Sequence, residues 1–226
     1  MASPVDLEGL AEATTFGELD AAPPDPEPQA STDGVVLRIK EDVAVHEAPE
    51  GRAFARLPAT QLENPTWVPV IDETDDWAQV LLPSRPNGST GWVRTGSEQP
   101  VSKARSPYLV DVDLDAHRMQ ILEDDQVIGE WAVGSGKPET PTPRGRTFIM
   151  AAIEETVTRF SPIILPLGSH SDTFDTYGGG PGTVALHGWP DADVFGTDTS
   201  DGCIRVPDEA LRKLTSLPLG TVVRVR

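Results

Sequence analysis

The stretch YLVDVDLDAHRMQILEDDQVIGEWAVGSG, residues 108–136, shows the pattern that decides the fold. Apolar and polar residues alternate in short runs, and the acidic pair Asp124 and Asp125 separates the last two runs. Alternation of this kind is typical of β-strands with one buried face, and acidic pairs favour turns. We therefore predict a β-meander with strands over residues 109–112, 118–123 and 127–133.

Downstream, the segment TVALHGWPDADVFGTDTSDGCIRV, residues 183–206, contains the single cysteine of the chain. A short apolar strand leads to His187, and a loop rich in glycine and aspartate then runs to Cys203. This loop is long enough to fold back and bring the imidazole to the sulfur. A free thiol, with a pKa near 8.5, is mostly protonated at neutral pH, so a nucleophilic cysteine needs a nearby base. We expect Cys203 to be a nucleophile and His187 its general base.

The residues around the cysteine suit acyl transfer. Gly202 leaves the backbone free to turn sharply, so we expect the N–H groups of Gly202 and Cys203 to form an oxyanion hole. Arg205 shares a face with Cys203 if the strand is regular. There it would add positive potential or hold a substrate carboxylate.

These residues resemble the active-site motif of the L,D-transpeptidase catalytic domain family, the YkuD type. That motif joins a His-Gly pair to a downstream Ser-x-Gly-Cys, a hydrophobic residue and Arg or Asn. The matching positions are His187, Gly188, Ser200, Gly202, Cys203, Ile204 and Arg205. A second match, SGKPETPTPRG at residues 135–145, is similar to the TGK-x-x-TPTP-x-G loop of the family, with Ser135 replacing the first Thr. The resemblance covers about residues 107–226.

The resemblance implies that the protein cross-links peptidoglycan, with stem peptides as donor and acceptor. Cys203 would attack the carbonyl before the terminal D-alanine of a tetrapeptide stem, and the amine of a neighbouring stem would then take the acyl group from the thioester. It also implies an extracytoplasmic location at the cell wall and a carbapenem or other β-lactam adduct on the cysteine. We expect no cofactor and no metal. We expect four further residues to bind substrate, namely Gly188, Ser200, Arg205 and Tyr177.

Two further features lie near the motif, the residue before Gly202 and the loop of residues 168–182. Many family members have a second histidine where this chain has Asp201, and a carboxylate there would raise the pKa of the thiol. Because the base of the family is the upstream histidine, we expect activity to survive. His170 and Tyr177 lie in the loop GSHSDTFDTYGGGPG, residues 168–182, which is either a lid with a hinge at residues 178–180 or an ordinary surface loop.

The residues before position 107 divide into three parts. Residues 35–97 alternate β-branched or aromatic runs with turns, which predicts a small β-barrel. The stretch TWVPVIDETDDWAQVLLPSRPNGSTGWVR, residues 66–94, resembles bacterial Src-homology-3-type domains. Residues 98–106 are polar and are predicted to be a linker, and the acidic, proline-rich residues 1–34 a disordered leader. Three tryptophans, predicted mainly as core residues rather than an aromatic binding surface, are Trp67, Trp77 and Trp92.

The whole sequence therefore predicts a mainly β protein. A small N-terminal β-barrel precedes a β-sandwich catalytic domain with one or two short helices, the clearest of them over residues 207–217. The net charge of −18 disfavours binding to nucleic acid. No stretch is apolar and long enough to span a membrane, and no export signal is evident.

Three alternatives to a transpeptidase remain open. An L,D-carboxypeptidase would use the same residues with water as the acceptor. A non-catalytic peptidoglycan-binding protein would use the small barrel for recognition. A zinc site would need a fourth ligand besides His170, His187 and Cys203, and the chain has no spacing typical of metal ligands.

Overall fold

The computed structural model describes residues 5–157, 160–177 and 179–226. Strands dominate, which confirms the prediction of a mainly β protein. Two units can be distinguished, each with a buried apolar cluster of its own. We refer to residues 35–105 as the N-terminal unit, to residues 107–226 as the C-terminal unit and to residues 5–34 as the N-terminal segment.

The N-terminal segment and N-terminal unit contribute ten strands to the described part of the chain. These are β1 (Ala11–Glu12), β2 (Val35–Ile39), β3 (Val43–His46), β4 (Ala53–Leu57), β5 (Thr60–Gln61), β6 (Asn64–Pro65), β7 (Trp67–Glu73), β8 (Trp77–Leu81), β9 (Thr90–Arg94) and β10 (Val101–Arg105). One sheet has the order β1-β4-β3-β9-β8-β7-β2-β10, and β5 pairs with β6. The barrel of Src-homology-3 type stays a prediction.

The apolar residues that alternate along these strands form the core of the N-terminal unit. Leu37, Val45 and Val80 are fully buried, as strands with one buried face require. Trp77 is also buried, whereas Trp67 and Trp92 are half-buried. Trp77 thus belongs to the core, whereas Trp67 and Trp92 keep part of their surface exposed.

The structure differs from the disordered leader predicted for residues 1–34. Strand β1 pairs in parallel with β4, and both Ala13 and Leu19 are buried. Asp25 forms two hydrogen bonds, of 2.6 and 2.7 Å, with the guanidinium of Arg146 in the C-terminal unit. The segment has few apolar residues of its own, and it is held because surfaces far along the chain supply its partners.

The linker predicted over residues 98–106 is also different in the structure. Val101–Arg105 forms β10, which pairs antiparallel with β2 at the edge of the sheet. Polar residues suit such an edge strand because its outer side meets solvent. The two units are therefore joined through a strand rather than a free linker.

The C-terminal unit contains eleven strands and one α-helix within the described residues. The strands are β11 (Tyr108–Asp113), β12 (Arg118–Glu123), β13 (Gln126–Ala132), β14 (Ser135–Gly136), β15 (Gly145–Phe148), β16 (Ile153–Glu154), β17 (Ile163–His170), β18 (Thr183–Gly188), β19 (Asp198–Ser200), β20 (Ile204–Val206) and β21 (Val222–Val225). The helix α1 is Asp208–Leu214, and Ala192–Val194 forms one 3-10 turn. No helix described here is long and apolar enough to cross a membrane.

Two sheets enclose the core of the C-terminal unit. The first has the order β13-β12-β11-β21-β15 and the second β16-β17-β18-β20. Val110 and Ile121 from one sheet meet Leu186 and Ile204 from the other, all fully buried. The meander prediction holds for β11 to β13, and the turn residues Asp124 and Asp125 have the positive φ angles, 45° and 63°, of a tight hairpin.

Candidate active site

Two adjacent strands, β18 and β20, position the histidine and the cysteine. They run parallel, with Leu186 opposite Ile204 and His187 opposite Arg205. Leu186 and Ile204 face the core, so the residues that flank them project to the other face of the sheet. His187 and Arg205 therefore share one face, and Cys203 directly precedes β20, two residues before Arg205.

The imidazole of His187 is buried and has a defined orientation. Its Nδ1 lies 2.7 Å from the carbonyl oxygen of Gly188. Since a carbonyl only accepts, Nδ1 carries the proton and Nε2 is left as the acceptor. Burial is the main cause that lowers the pKa of His187, and the nearby charge of Arg205 lowers it further, while the bond to Gly188 opposes the shift. The imidazole is therefore neutral at pH 7, as a general base must be.

Two aromatic rings pack beside this imidazole. The ring of Phe160 meets it edge-on at 5.0 Å between centroids, and Trp189 lies at 6.0 Å. The guanidinium of Arg205 stacks on Trp189, 3.8 Å from the ring centre. Neither Phe160 nor Trp189 was predicted as a site residue, although Trp189 directly follows the His-Gly pair. Both rings thus pack on the imidazole, and Trp189 also holds the guanidinium of Arg205.

Cys203 is a free thiol. It ends the segment of residues 198–203, which consists of β19 and the turn after it and is called the cysteine loop below. The residue is partly exposed, yet protein atoms enclose its sulfur closely, and this burial raises the pKa of the thiol. The backbone of Ala185 and the charge of Arg205 oppose the shift, while Asp201 adds to it, the direction expected from the sequence. No hydrogen bond joins Sγ to the imidazole within the described residues. The resting cysteine is therefore a thiol rather than a thiolate.

Ser200 shapes the cysteine loop instead of facing a substrate. Its side chain is buried, and its Oγ donates to the carbonyl of Cys203 at 2.6 Å. The same oxygen accepts the N–H of Gly202 at 3.1 Å. This N–H is thus occupied, which does not fit its predicted place in an oxyanion hole or the predicted substrate contact of Ser200. Gly202 has a φ of +114°, which only glycine adopts without strain.

The loop of residues 137–144, called the threonine loop below, braces the cysteine loop. Thr142 Oγ1 donates to the carbonyl of Gly202 at 2.9 Å and accepts the N–H of Gly136 at 3.0 Å. Thr140 Oγ1 donates to the carbonyl of Ser200 at 3.2 Å. The sequence identified this second motif but gave its threonines no role. Their hydroxyl groups fix the backbone that carries Cys203.

Asp201 is paired with a cation beside the cysteine. Its carboxylate lies 2.6 Å from Nζ of Lys137, and this bond is the main cause that lowers the pKa of Asp201. The hydroxyl of Tyr177 donates to the other carboxylate oxygen at 3.3 Å. Tyr177 is half-exposed, and burial is the largest cause that raises its pKa, followed by Asp201 and then by the charge of Cys203. The structure thus brings Tyr177 next to the cysteine loop, with its ring open to solvent.

Gly188 supports the histidine rather than an open subsite. Its N–H donates to Ser161 Oγ at 2.8 Å, and its carbonyl accepts from His187. Both backbone groups are used within the protein, which does not fit the predicted substrate contact. Gly188 therefore orients the imidazole.

The structure places His170 away from the thiol. This residue ends β17 and is fully buried, with Nε2 at 2.7 Å from the carbonyl and 3.0 Å from the hydroxyl of Thr15 in the N-terminal segment. Burial lowers the pKa of His170 to about 4. His170 thus belongs to neither a lid over Cys203 nor a zinc site with it, and Gly178 of the predicted hinge lies outside the described residues. No three His, Cys, Asp or Glu side chains gather as metal ligands in the described ranges.

The fold and the site together define a class of protein. The profile of the L,D-transpeptidase catalytic domain family, YkuD, matches residues 107–225, which is more than half of the chain. The chain belongs to this family.

Two bacterial relatives agree with this family assignment. The chain is 28% identical over 125 residues to YqjB, a candidate L,D-transpeptidase of Bacillus subtilis, and the match covers 53% of this chain and 70% of YqjB. It is 27% identical over 152 residues to the candidate L,D-transpeptidase YkuD of Bacillus licheniformis, covering 65% and 85%. Among solved structures, L,D-transpeptidase 3 of Mycobacterium tuberculosis with a faropenem-derived adduct is 13% identical, covering 62% and 75%, at a TM-score of 0.45. That last similarity is distant.

Proposed function

We propose that this protein is a cysteine-dependent L,D-transpeptidase that cross-links peptidoglycan stems at the cell wall, outside the cytoplasm. The observation that carries the proposal is the parallel register of β18 and β20, with His187 opposite Arg205 and Cys203 two residues before it. This register sets a neutral base and a thiol on one face. The family assignment supplies the class of substrate.

The protonation states support general-base catalysis rather than a preformed ion pair. Burial favours the neutral form of both groups, so His187 is unprotonated while Cys203 keeps its proton. As Sγ attacks the carbonyl before the terminal D-alanine, its proton moves to Nε2 of His187. The tetrahedral intermediate collapses, the C–N bond breaks, and the imidazolium returns the proton to the amine of the departing D-alanine. A thioester on Cys203 remains.

The second half of the reaction reverses these roles. The side-chain amine of a neighbouring stem attacks the thioester, and His187 takes a proton from this amine. The C–S bond then breaks, the sulfur regains a proton from the imidazolium, and a new amide joins the two stems. In each half of the reaction, His187 thus takes up one proton and releases one, and the cycle needs no cofactor.

The remaining site residues receive roles that match their contacts. The N–H of Cys203 is our candidate for the oxyanion donor, because that of Gly202 is bonded to Ser200. Arg205 and Tyr177 are the candidates for substrate contact. Lys137 offsets the negative charge of Asp201, so the change from the second histidine of the family leaves the thiol usable.

Release of D-alanine from a purified tetrapeptide stem tests the proposal. In the full chain, Cys203→Ala and Cys203→Ser should each lower the rate at least about a thousandfold, since a serine hydroxyl is much harder to deprotonate. His187→Gln should show a comparable loss. His46→Gln is a matched control, because its Nδ1 also bonds a backbone carbonyl, that of Gly51 at 2.8 Å, in the N-terminal unit.

The products separate the alternatives. Cross-linked dimers identify a transpeptidase, whereas a shortened stem alone identifies an L,D-carboxypeptidase with water as acceptor. Intact mass after exposure to a carbapenem should show an adduct in wild type and none in Cys203→Ala. Wild type that releases no D-alanine and forms no adduct would overturn the proposal and favour a peptidoglycan-binding protein.

A further inference from the structure

We propose that Arg85, a residue of the N-terminal unit, is a positioning residue that fixes the loop carrying Tyr177 and thereby sets the affinity for the donor stem. The inference rests on the function proposed above for its substrate. It concerns residues 171–182, called the tyrosine loop below, with Gly178 outside the described residues.

Arg85 donates to three carbonyls of the tyrosine loop. Nη1 bonds the carbonyl of Ser171 at 3.0 Å, and Nη2 bonds those of Phe174 at 2.9 Å and Pro181 at 3.1 Å. The carbonyls of Ser171 and Phe174 come from the first arm of the loop, and that of Pro181 comes from its last arm. A planar guanidinium with several donors suits such a task better than a single ammonium group. One side chain therefore ties the two arms of the loop together.

The glycine at the end of the loop is shaped to this contact. Gly182 has a φ of +72°, and a Cβ placed there would lie 2.2 Å from the carbonyl oxygen of Phe174 and 3.1 Å from Nη2 of Arg85. Glycine is thus required by its backbone angle and by the close approach of these groups. A side chain at position 182 would therefore disturb the bond between Arg85 and the carbonyl of Phe174.

Arg85 is itself held from two sides. Its N–H donates to the carbonyl of Gly17 at 3.0 Å, and its carbonyl accepts the N–H of Leu19 at 2.8 Å, both from the N-terminal segment. Two residues further on, the side-chain amide of Asn87 donates to the carbonyl of His170 and accepts the N–H of His170, both at 2.8 Å. The guanidinium is therefore presented from a fixed backbone.

The loop connects this anchor to the cysteine. Phe174, whose carbonyl Arg85 holds, packs on Tyr177 with ring centroids 5.6 Å apart. Tyr177 in turn donates to Asp201, two residues before Cys203. Arg85 touches neither the thiol nor the imidazole in any contact of the described residues, so its influence on the reaction passes through Tyr177.

Steady-state kinetics of D-alanine release by the full chain test this chain of contacts. Arg85→Gln should raise KM for the donor stem about tenfold or more, with kcat changed much less, because misplacing a binding group by about 1 Å is costly. Arg85→Lys should recover part of the loss. In a Tyr177→Ala background, Arg85→Gln should have little additional effect, which a purely structural role would not produce.

Two controls isolate the effect. Arg38→Gln is matched, because Arg38 also donates to backbone carbonyls, those of Ala59 at 3.0 Å and Thr66 at 3.3 Å, but within its own unit. It should leave KM unchanged. Alkylation of Cys203 by iodoacetamide, a reagent too small to need the loop, should proceed at the same rate in wild type and Arg85→Gln.

Hydrogen exchange gives a readout independent of turnover. Ser171 N–H bonds the carbonyl of Gly182, and Tyr177 and Gly180 exchange two backbone bonds, so these amides should exchange at least about tenfold faster in Arg85→Gln. Unchanged exchange or unchanged KM, with an active wild type, would overturn this inference alone. An inactive wild type would instead overturn the proposed function, and with it the substrate role of Arg85.

Discussion

At the residue scale, burial decides the chemistry of the cysteine and the histidine. It raises the pKa of the Cys203 thiol and lowers that of the His187 imidazole, so the neutral pair is favoured over the charged pair. Arg205 favours the thiolate but disfavours the imidazolium, because it lies near both. The resting pair is therefore a neutral thiol and a neutral imidazole.

The pH dependence of alkylation checks this state. Because the thiol pKa is raised, the iodoacetamide reaction of Cys203 should stay slow at pH 7 and rise only above the ordinary thiol pKa of about 8.5. The rate should be followed by intact mass between pH 5 and pH 10. A plateau of fast reaction that begins below pH 7 would show a preformed thiolate and contradict the general-base proposal.

At the element scale, the strands were predictable and the loop contacts were not. Alternation identified β11 to β13, and the helix predicted over residues 207–217 is present as the shorter α1. The roles of Ser200 and Gly202 could not be deduced from spacing, because a hydroxyl or N–H in a loop has many possible partners. The carbonyls of Ser200 and Gly202 are bonded by the threonine loop, about sixty residues earlier in the chain, and spacing alone does not reveal that pairing.

The brace on the cysteine loop gives a second prediction. Thr142→Val keeps the shape but removes two hydrogen bonds and leaves the N–H of Gly136 and the carbonyl of Gly202 without that partner. We expect a loss of about 1–3 kcal/mol in the free energy of unfolding and roughly tenfold lower turnover. Urea denaturation and D-alanine release measure the two effects.

Thr147→Val is the matched control for this change. Thr147 is buried in the same unit, and its hydroxyl has no hydrogen-bond partner among the described residues. Its replacement should therefore be neutral or slightly stabilising. If Thr142→Val proved equally harmless, the threonine loop would not be a brace.

At the scale of the whole molecule, the N-terminal segment joins the two units. Phe148 and Met150 of the C-terminal unit lie in the apolar cluster of the N-terminal unit, together with Ala13 and Leu19 of the segment. Asp25 bonds Arg146 in one unit and, through its N–H, the carbonyl of Gly88 in the other at 2.7 Å. The N-terminal segment thus connects the unit that carries Arg85 to the unit that carries Cys203.

The third prediction concerns the ion pair between Asp25 and Arg146 and its effect on the free energy of unfolding. Both side chains are almost fully buried, so Asp25→Asn leaves a buried guanidinium without a counter-charge. We expect a loss of about 3–5 kcal/mol in the free energy of unfolding. Asp115→Asn breaks the exposed pair with Arg144, also at 2.6 Å, and should cost less than about 1 kcal/mol. Equal losses in urea denaturation would contradict a structural role for the segment.

The sequence by itself determined the mainly β fold, the family and the two residues proposed for catalysis. These follow from local alternation and from a motif whose spacing is fixed along the chain. Only the tertiary structure decided that residues 5–34 are packed, that Thr142 holds the carbonyl of Gly202, and that Arg85 holds the tyrosine loop. The physical reason is that such contacts join groups far apart in sequence, and a hydrogen bond or a buried ion pair leaves no pattern in either partner alone.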